Sequence, residues 1–466
     1  MIDFYKSLVE IVGEGHVSNQ AEELYFYARD SGLMPIHKPP DYVVAPKTTQ
    51  EVQKIVELAN EKKIPLVPMG GGMSLAGLIN PLKGGIVIDM KRMRNILGVN
   101  EKARYVIVEG GVSQGALGAY LERNYPNLRH SAVEAPPATT IASSVVIHGQ
   151  GRLTQQYGFT SDMVSGLEVV LPTGEICRIG SCAMSPDWFS KGPTLPDLSG
   201  LFLGWLGTTG IITKVGLKLY PKKKIRDVEM FVTDKADLIP DILFNLTHTE
   251  MVEDILIGSQ SGIHFDPPMF KGYHYVTLYI TGDTDDELEF KRKMVWDSLK
   301  EFRENKDGGF MWVLPMIKPG LLEAPQKWIT RTLADDKKGG GFTYSGPIVL
   351  IEKYPLFAKR LEEVGDKHKL DYAGLARVIG RGHAMMFGFG FPFNRVDSDL
   401  MDRVRKALHE LIVFAFNQGG IPWKPNIEEQ KMAMERMDPN TLKIMMMIKK
   451  NLDPNGIMNP GNWEVE

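Results

Sequence analysis

The stretch Ile64-Pro-Leu-Val-Pro-Met-Gly-Gly-Gly-Met-Ser-Leu-Ala-Gly77 turns an apolar run into three consecutive glycines and a serine. Gly70, Gly71 and Gly72 reach backbone angles closed to other residues and put no Cβ in the way of a close ligand. Successive N–H groups in such a turn form a concave nest for an anion, and the Ser74 hydroxyl adds a donor, so a diphosphate suits this chemistry. A plain surface turn would use the same glycines. Two further stretches have a matching character. Ala135-Pro-Pro-Ala-Thr-Thr-Ile-Ala-Ser-Ser144 mixes Pro, small side chains and hydroxyls, which lets a loop lie flat on a large planar ligand; the alternative is a small-residue helix start packed on a sheet. In Leu201-Phe-Leu-Gly-Trp-Leu-Gly-Thr-Thr-Gly210, Gly207 and Gly210 again permit close backbone approach. His383, in Ile379-Gly-Arg-Gly-His-Ala384 at the mouth of an apolar strand, is suited to stay neutral and accept a proton.

The elements around these residues must hold them in place. Upstream of the glycines, residues 48–62 carry a capping box at Thr48 and Glu51, with Val52, Ile55, Val56 and Ala59 at helical spacing. Downstream, residues 85–90 and 105–108 read as buried strands, so the loop joins a helix–strand unit to a strand pair. A Rossmann site sets its glycines at a helix start in G-x-G-x-x-G spacing. That spacing is absent here, which argues against a nicotinamide cofactor held in that way. Gly110-Gly-Val-Ser113 caps a helix reaching about Tyr125 with Leu117, Tyr120 and Leu121 inward, and residues 167–171 and 175–179 form a hairpin around Pro172-Thr-Gly174. Residues 211–219 follow as a strand, and the basic run Pro221-Lys-Lys-Lys-Ile-Arg226 marks a boundary. Beyond it, strands at 275–281, 348–352 and 383–391 alternate with helices at 287–303, 355–369 and 397–418, which predicts a ferredoxin-like pair of split β-α-β units under one antiparallel sheet. A last helix, capped by Asp438 with Pro439 at its first position, runs over 442–452, and its Met445-Met-Met447 is expected in core packing rather than on a metal.

With these stretches in view, the chain resembles a known family. Pro68-Met-Gly-Gly-Gly-Met-Ser-Leu-Ala-Gly77 followed by Gly84-Gly-Ile-Val-Ile-Asp89 is similar to the FAD diphosphate loop of the flavoproteins related to vanillyl-alcohol oxidase and 4-cresol dehydrogenase, a superfamily that also holds flavin-linked D-lactate and glycolate dehydrogenases. Thr140-Ile-Ala-Ser-Ser144, Leu206-Gly-Thr-Thr-Gly-Ile-Ile-Thr213 and Asp453-Pro-Asn-Gly-Ile-Met-Asn-Pro-Gly461 match in the family's order. The resemblance implies an α+β chain. A helical entry segment at 1–40 precedes a two-part FAD-binding domain of the PCMH type at 41–226. A ferredoxin-like α+β cap at 227–420 closes over the isoalloxazine, and a C-terminal arm at 421–466 returns to the FAD domain. It implies non-covalent FAD, with contacts from Pro68, Met69, Gly70, Gly71, Gly72, Met73 and Ser74 on the first loop, from Pro136, Thr140, Ile141, Ala142, Ser144 and His148 on the second, and from Gly207, Gly210, Ile212 and Asn459 beyond.

Two family templates bear on the chemistry. Gly382-His-Ala384 resembles the start of the hydroxy-acid signature, and Gln326-Lys-Trp-Ile-Thr-Arg331 resembles the Trp-x-x-Arg segment whose Arg fixes a substrate carboxylate, so His383 is the expected base, Arg331 the anchor and Arg381 a neighbour. The signature then continues as Met385-Met-Phe-Gly-Phe-Gly390 in place of Gly-Asp-Gly-Asn and a second His, and Gly420-Ile-Pro-Trp-Lys-Pro-Asn426 stands near the usual Glu-His-Gly; no metal is expected. Gly339-Gly-Gly-Phe-Thr-Tyr-Ser-Gly-Pro-Ile348 and Lys369-Leu-Asp-Tyr372 instead resemble the cap of 4-cresol dehydrogenase. That enzyme's Tyr-Arg pair falls on Trp423-Lys424, where an indole beside an ammonium stacks on a ring and stabilises an anion, while Phe159 replaces an acidic residue. The expected activity is FAD-dependent dehydrogenation of a hydroxylated organic substrate, a 2-hydroxy acid or an alcohol, with the hydride going to flavin N5. A 4-alkylphenol or aryl-alcohol dehydrogenase, a catalytically altered electron-transfer subunit, or a non-redox flavoenzyme like alkylglycerone-phosphate synthase are the alternatives.

Composition sets outer bounds. A chain of 466 residues, 43% hydrophobic and 24% charged, suits two or three globular domains, and a net charge of -3 gives no reason to expect nucleic acid or an anionic membrane as partner. Cys177 and Cys182 are too few for a disulfide framework or a metal cluster and suit a reducing compartment. Asp3, Lys6, Glu10 and Glu14 interrupt any leader-like run, and no apolar stretch is long enough to span a bilayer, so a cytoplasmic protein is expected. Without cluster-binding cysteines, the chain is expected to pass electrons to an iron–sulfur subunit, electron-transfer flavoprotein, cytochrome or quinone, and to form a homo-oligomer in some cases.

Overall fold

Thr48 accepts the Glu51 N–H at 3.1 Å and starts the helix that the capping box predicts, but the Glu51 carboxylate reaches back to the Lys47 N–H at 2.7 Å instead of to Thr48 itself. In this computed structural model, which describes residues 4–464 apart from 31, 34–37, 193–194, 260–271, 306, 312–317, 320 and 323–338, that helix sits on the first of two sheets in the N-terminal half. α1 (Phe4–Val12), β1 (Val17–Ser18), α2 (Ala21–Phe26) and β2 (Tyr42–Val44) precede it. α3 (Thr49–Lys62) then buries Val52, Ile55, Val56 and Ala59 completely against β3 (Leu66–Met69) and β4 (Ile86–Asp89), in a sheet of order β1-β2-β4-β3 whose last three strands are parallel.

The chain leaves this sheet where the Asp89 side chain accepts the Lys91 N–H at 3.0 Å. β5 (Ile96–Asn100) and β6 (Tyr105–Glu109) open a second sheet, so residues 85–90 and 105–108 do not form the expected strand pair but belong to different layers. α4 (Gln114–Asn124), capped by Ser113 as its sequence predicts, presses Leu117 and Leu121 into this layer. β7 (Leu128–Arg129), α5 (Ile141–Val146) and α6 (Thr154–Tyr157) follow. The expected hairpin is β8 (Val164–Val170) with β9 (Ile176–Gly180), and β10 (Ile211–Lys218) completes the antiparallel order β5-β6-β10-β8-β9. β11 (Tyr220–Pro221) pairs with β7. Between the layers, the buried Glu168 carboxylate accepts from Thr49 of α3 at 2.9 Å and from Lys214 of β10 at 2.8 Å, tying one sheet to the other.

The rest of the chain forms an eight-stranded antiparallel sheet. β12 (Ile225–Thr233), α7 (Ile239–His248), β13 (Asp254–Ser259), β14 (His274–Gly282), α8 (Asp285–Ser298), α9 (Lys300–Glu304) and β15 (Phe310–Met311) form one β-α-β-β-α-β unit, with strand order β15-β12-β14-β13. β16 (Gly340–Ser345), β17 (Ile348–Val349), α10 (Tyr354–His368), β18 (Ala373–Ile379), β19 (Ala384–Asn394) and α11 (Ser398–Asn417) repeat the pattern, and β18 pairs with β13 to fuse the two units. The ferredoxin-like pair is therefore present, although β12, β13, β16, β18 and α7 are not apparent from periodicity. β12 is masked by Asp227 and Glu229, whose charges in the fold are met by Arg292 of α8, and β18 by Arg377. On the helix side, Tyr354, Phe357, Phe387, Phe389 and Phe391 form the core, with the Phe357 and Phe389 rings stacked at 5.7 Å.

α12 (Ile427–Arg436) and α13 (Pro439–Leu452) lead back to the first sheet. Here the expectation for Met445-Met-Met447 is overturned. Lys449 is the buried residue of α13, donating to the Asn462 carbonyl at 2.7 Å, whereas Met447 is 54% exposed. The helix lies on the surface and is tethered by a polar contact. Past it, Leu66 of β3 and Asn459 exchange backbone bonds with the arm, Leu66 N–H to Ile457 at 2.7 Å and Asn459 N–H to Leu66 at 2.7 Å. No helix among the described residues is long and apolar enough to cross a membrane. Phe387→Ala, which empties the centre of the aromatic core, should lower unfolding free energy by about 3–5 kcal/mol in chemical denaturation; a loss under about 1 kcal/mol would show that this core is not tightly packed.

Candidate active site

The glycine loop is held from beneath by a carboxylate that pattern reading does not single out. Asp30 accepts the Gly32 N–H at 2.9 Å and the Gly77 N–H at 2.7 Å, its own N–H is bound by Asn80 at 2.9 Å, and burial pushes its carboxyl up to about 6. The loop is pressed against a second loop. A Cβ on Gly70 would lie 2.3 Å from Thr140 Oγ1, and one on Gly71 would lie 2.4 Å from the Ala138 carbonyl oxygen. That second loop is itself rigid, because the Gln114 N–H binds the Thr139 carbonyl at 2.8 Å and the Gly115 N–H binds the Pro137 carbonyl at 3.0 Å. Gly72, at φ +70, is in ordinary contact distance of Met69 and Ile79, so its conformation and not its space favours glycine. Among the described residues, the N–H groups of Gly71 through Leu75 meet no backbone or side-chain acceptor.

Beside the loop, a pocket opens between the two sheets. Pro68, Met69 and Gly70 line it with Thr140, Ala142, Gly207, Gly210 and Ile212, all expected contacts, and so do Leu78, Met90, Gly110, Ser143, Val146 and Ile147, which sequence reading does not name. The other expected contacts sit around it. Ile141 and Ser144 are buried on the far side of α5. There Ser144 donates to the Thr140 carbonyl at 2.9 Å and accepts from Gln114, whose other end meets His130, a ring that burial pushes down to about 4. Ser74 accepts the Ala76 N–H at 3.2 Å, Met73 is exposed, and Pro136 stands on the rigid second loop. Asn459 closes the pocket from behind. Its side-chain amide donates to the Leu78 carbonyl at 3.2 Å and to the Leu206 carbonyl at 2.7 Å, while its buried Oδ1 has no partner among the described residues.

Where the pocket wall passes Val146 and Ile147, the next residue, His148, takes the left-handed conformation at φ 52. Burial lowers the pKa of its ring, which meets Ser161 Oγ at 2.7 Å and Phe159 edge-on, and its carbonyl accepts the Trp423 indole N–H at 2.7 Å. Lys424 also has a left-handed backbone, at φ 55. Its ammonium lies 3.8 Å from the Trp423 ring centre and 3.4 Å from the Tyr344 hydroxyl of β16. Protein surrounds the amine, and burial drags it down to about 7, while Tyr344 is pushed well above its ordinary range. Lys424, Trp423 and Tyr344 are each half-buried. His383 and Arg381 are elsewhere. Both are exposed on the turn joining β18 to β19, with Arg381 paired to Glu250 at 2.9 Å. Arg331 lies outside the described residues.

Residues 40–180 match the FAD binding domain family, and residues 348–463 match the C-terminal domain of FAD linked oxidases. The chain is 30% identical to the mitochondrial cytochrome-type D-lactate dehydrogenase of Arabidopsis thaliana, covering 98% of this chain and 79% of that one. The chain belongs to the FAD-linked oxidoreductases. It is also 24% identical to the flavoprotein subunit of 4-cresol dehydrogenase from Pseudomonas putida, over 98% and 94% of the two chains. The solved structure of 4-ethylphenol oxidase from Gulosibacter chungangensis superimposes with a TM-score of 0.87 at 20% identity, covering 99% of this chain and 96% of that one, and shares its PCMH-type fold.

The residues of this FAD-linked oxidoreductase fit its cofactor. The unbonded N–H groups of Gly71 to Leu75 offer a nest for a diphosphate, the apolar slot between the sheets suits a flat ring system, and the unpartnered Asn459 Oδ1 is an acceptor left for a ligand. Missing from the sequence reading is Asp30, which belongs to no motif and acts on Gly77 far along the chain, while Tyr344 stands there only within the stretch 339–348, with no role given to it. Gly71→Val should yield protein with little bound flavin, because its side chain drives the loop off Ala138 and distorts the nest; full flavin absorbance in that variant would refute the role of the contact. Asp30→Asn, which loses one of two acceptors, should weaken FAD retention by about 1–2 kcal/mol in equilibrium dialysis.

Proposed function

We propose that this FAD-linked oxidoreductase is a dehydrogenase of a hydroxylated organic substrate, with a phenol or aryl alcohol favoured, bound in the space between Tyr344, Trp423 and Lys424. The observation that carries this reading is the Lys424 amine, brought to about 7 by burial and facing the Tyr344 hydroxyl at 3.4 Å beside the end of the pocket wall. A lysine in that condition is partly neutral near physiological pH and is able to act as a base. In this reading the substrate lies beside Lys424, its hydroxyl donating to Nζ while the Tyr344 hydroxyl fixes the same oxygen. Lys424 takes the hydroxyl proton, and the resulting ammonium stabilises the phenolate or alkoxide. FAD, when bound, accepts the hydride from the substrate carbon. The diphosphate is assigned to Gly70 through Ser74, the FAD to non-covalent binding, and the electrons to a second protein or a quinone; the relative from Pseudomonas putida, which is a flavoprotein subunit, supports such a partner.

A second reading, oxidation of a 2-hydroxy acid with Arg331 holding the carboxylate, is favoured by the 30% identity to D-lactate dehydrogenase. Anaerobic mixing with a panel of phenols, aryl alcohols and 2-hydroxy acids distinguishes the two. Bleaching of the flavin by phenols supports the first reading, and bleaching confined to 2-hydroxy acids replaces it with the second. In the first case, Lys424→Met should slow flavin reduction by about 10²–10⁴-fold, and Lys424→Arg, charged but unable to take a proton, should be nearly as slow. The native rate should rise with pH and level off above about 7, since the neutral amine is the active form. A Lys424→Met variant with native reduction rate and pH profile would remove the amine from the chemistry. Acid precipitation should leave the yellow colour in the supernatant; a yellow pellet would mean a covalent link.

A further inference from the structure

Trp423 and Lys424 stand on the short segment that carries the chain from α11 into α12, and that segment is tied to the eight-stranded sheet at both ends. At its start, Ile421 and Ile348 of β17 exchange backbone bonds, at 2.7 Å and 2.9 Å. At its end, Glu429 in the first turn of α12 is buried, and its carboxylate accepts the Ser345 hydroxyl of β16 at 2.7 Å and the Asn426 N–H at 2.9 Å. Asn426 returns the contact, its side chain accepting the Glu429 N–H at 3.0 Å. Between the two ties, Trp423 packs on Gly346, where a Cβ would lie 3.1 Å from the indole, and Lys424 reaches the Tyr344 hydroxyl at 3.4 Å.

The two faces of β16 decide what this arrangement does. Successive residues of a strand point to opposite faces, so Tyr344 and its neighbour Ser345 are on different sides of the sheet. Ser345 is paired with Phe389 of the aromatic core, and Tyr344 with Gly390. The segment therefore wraps β16. Lys424 meets the strand on the side toward the FAD-binding half, and Glu429 grips it on the core side. A capping box alone asks for no second partner on its glutamate. A buried carboxylate costs solvation unless its oxygens are bonded, and here one oxygen is bonded from the segment and the other from β16. The neighbouring Glu428 instead meets His409 of α11 in an exposed contact that solvent weakens. Lys424 also holds a left-handed backbone at φ 55, which a residue other than glycine keeps only where its surroundings impose it.

We propose that Glu429, through its grip on Ser345, is a positioning residue that holds Lys424 against Tyr344. Its carboxylate is occupied by Ser345 and Asn426, so it acts through the segment and not on the substrate. The kinetic consequence rests on Lys424 being the base proposed above, whereas the geometry does not.

The geometry is read without turnover in fluorotyrosine-labelled, FAD-loaded protein, where the Tyr344 resonance is the one absent from Tyr344→Phe and Lys424→Met shows its position without the amine. Glu429→Ala and Ser345→Ala should each move that resonance toward the Lys424→Met position. Glu429→Gln, whose amide accepts from Asn426 and donates to the Ser345 oxygen, should leave it near native. Flavin reduction at saturating substrate should slow by about 10²-fold in Glu429→Ala, with a smaller change in KM, and the Gln variant should recover most of that rate. In a Lys424→Met background, Glu429→Ala should slow reduction by less than about twofold, because the group it positions is gone. A native Tyr344 resonance in flavin-replete Glu429→Ala or Ser345→Ala overturns the proposal. Equal slowing with and without Lys424, or loss of flavin from both variants, overturns it too, since the contact then serves general stability. If the resonance moves while flavin reduction keeps its native rate, Glu429 positions the amine and Lys424 is not the base.

Discussion

Two loops touch at Gly70 and Gly71, the first against the Thr140 side chain and the second against the Ala138 backbone, with no room for a methyl group at either, and the rest of the molecule is arranged to keep them there. From one side, Asp30 gathers the Gly32 and Gly77 N–H groups onto a single carboxylate. From the other, α4 holds the loop at 136–140 through backbone bonds at Gln114 and Gly115. Behind both, Asn459 clamps Leu78 to Leu206 after the chain has travelled through the entire eight-stranded sheet. Such closeness leaves the N–H groups of the loop bare, and bare donors in a row are what an anionic cofactor group requires.

The eight-stranded sheet has two unlike faces. Its helix side is a packed aromatic core, where Phe357, Phe387 and Phe389 exclude water and stiffen the strands. Its other side carries Arg377, Asp254 and Tyr344 toward the FAD-binding half. Placing charges there costs solvation, which the pairing of Arg377 with Glu134 offsets only in part. The same desolvation lowers Lys424 and raises Tyr344, so the reactivity of these groups and the cost of burying them have one origin.

Much of the fold was legible in the residues. Thr48, Ser113 and Asp438 cap helices where their positions predict, and the apolar spacing of α3, α10 and α11 marks their buried faces. Strands that carry charge were not legible, because Asp227, Glu229 and Arg377 break an apolar alternation, and their partners come from elsewhere in the chain. The Met445-Met-Met447 run misled for the opposite reason: apolar residues on a helix indicate a core only if something covers them, and α13 lies outside.

By itself the sequence determined the glycine loop, the order of the units and the FAD-linked family, since each depends on residue types within a short span: glycine where no Cβ fits, caps where N–H groups end, apolar spacing where a helix packs. Tertiary structure alone decided which distant groups meet. It left His383 and Arg381 on an exposed turn and joined Trp423-Lys424 to Tyr344, 80 positions away, and Glu134 to Arg377, 243 positions away. A side chain's solvation and its charged neighbours set its chemistry, and neither is encoded at the position of the residue itself; both appear only when distant strands come together.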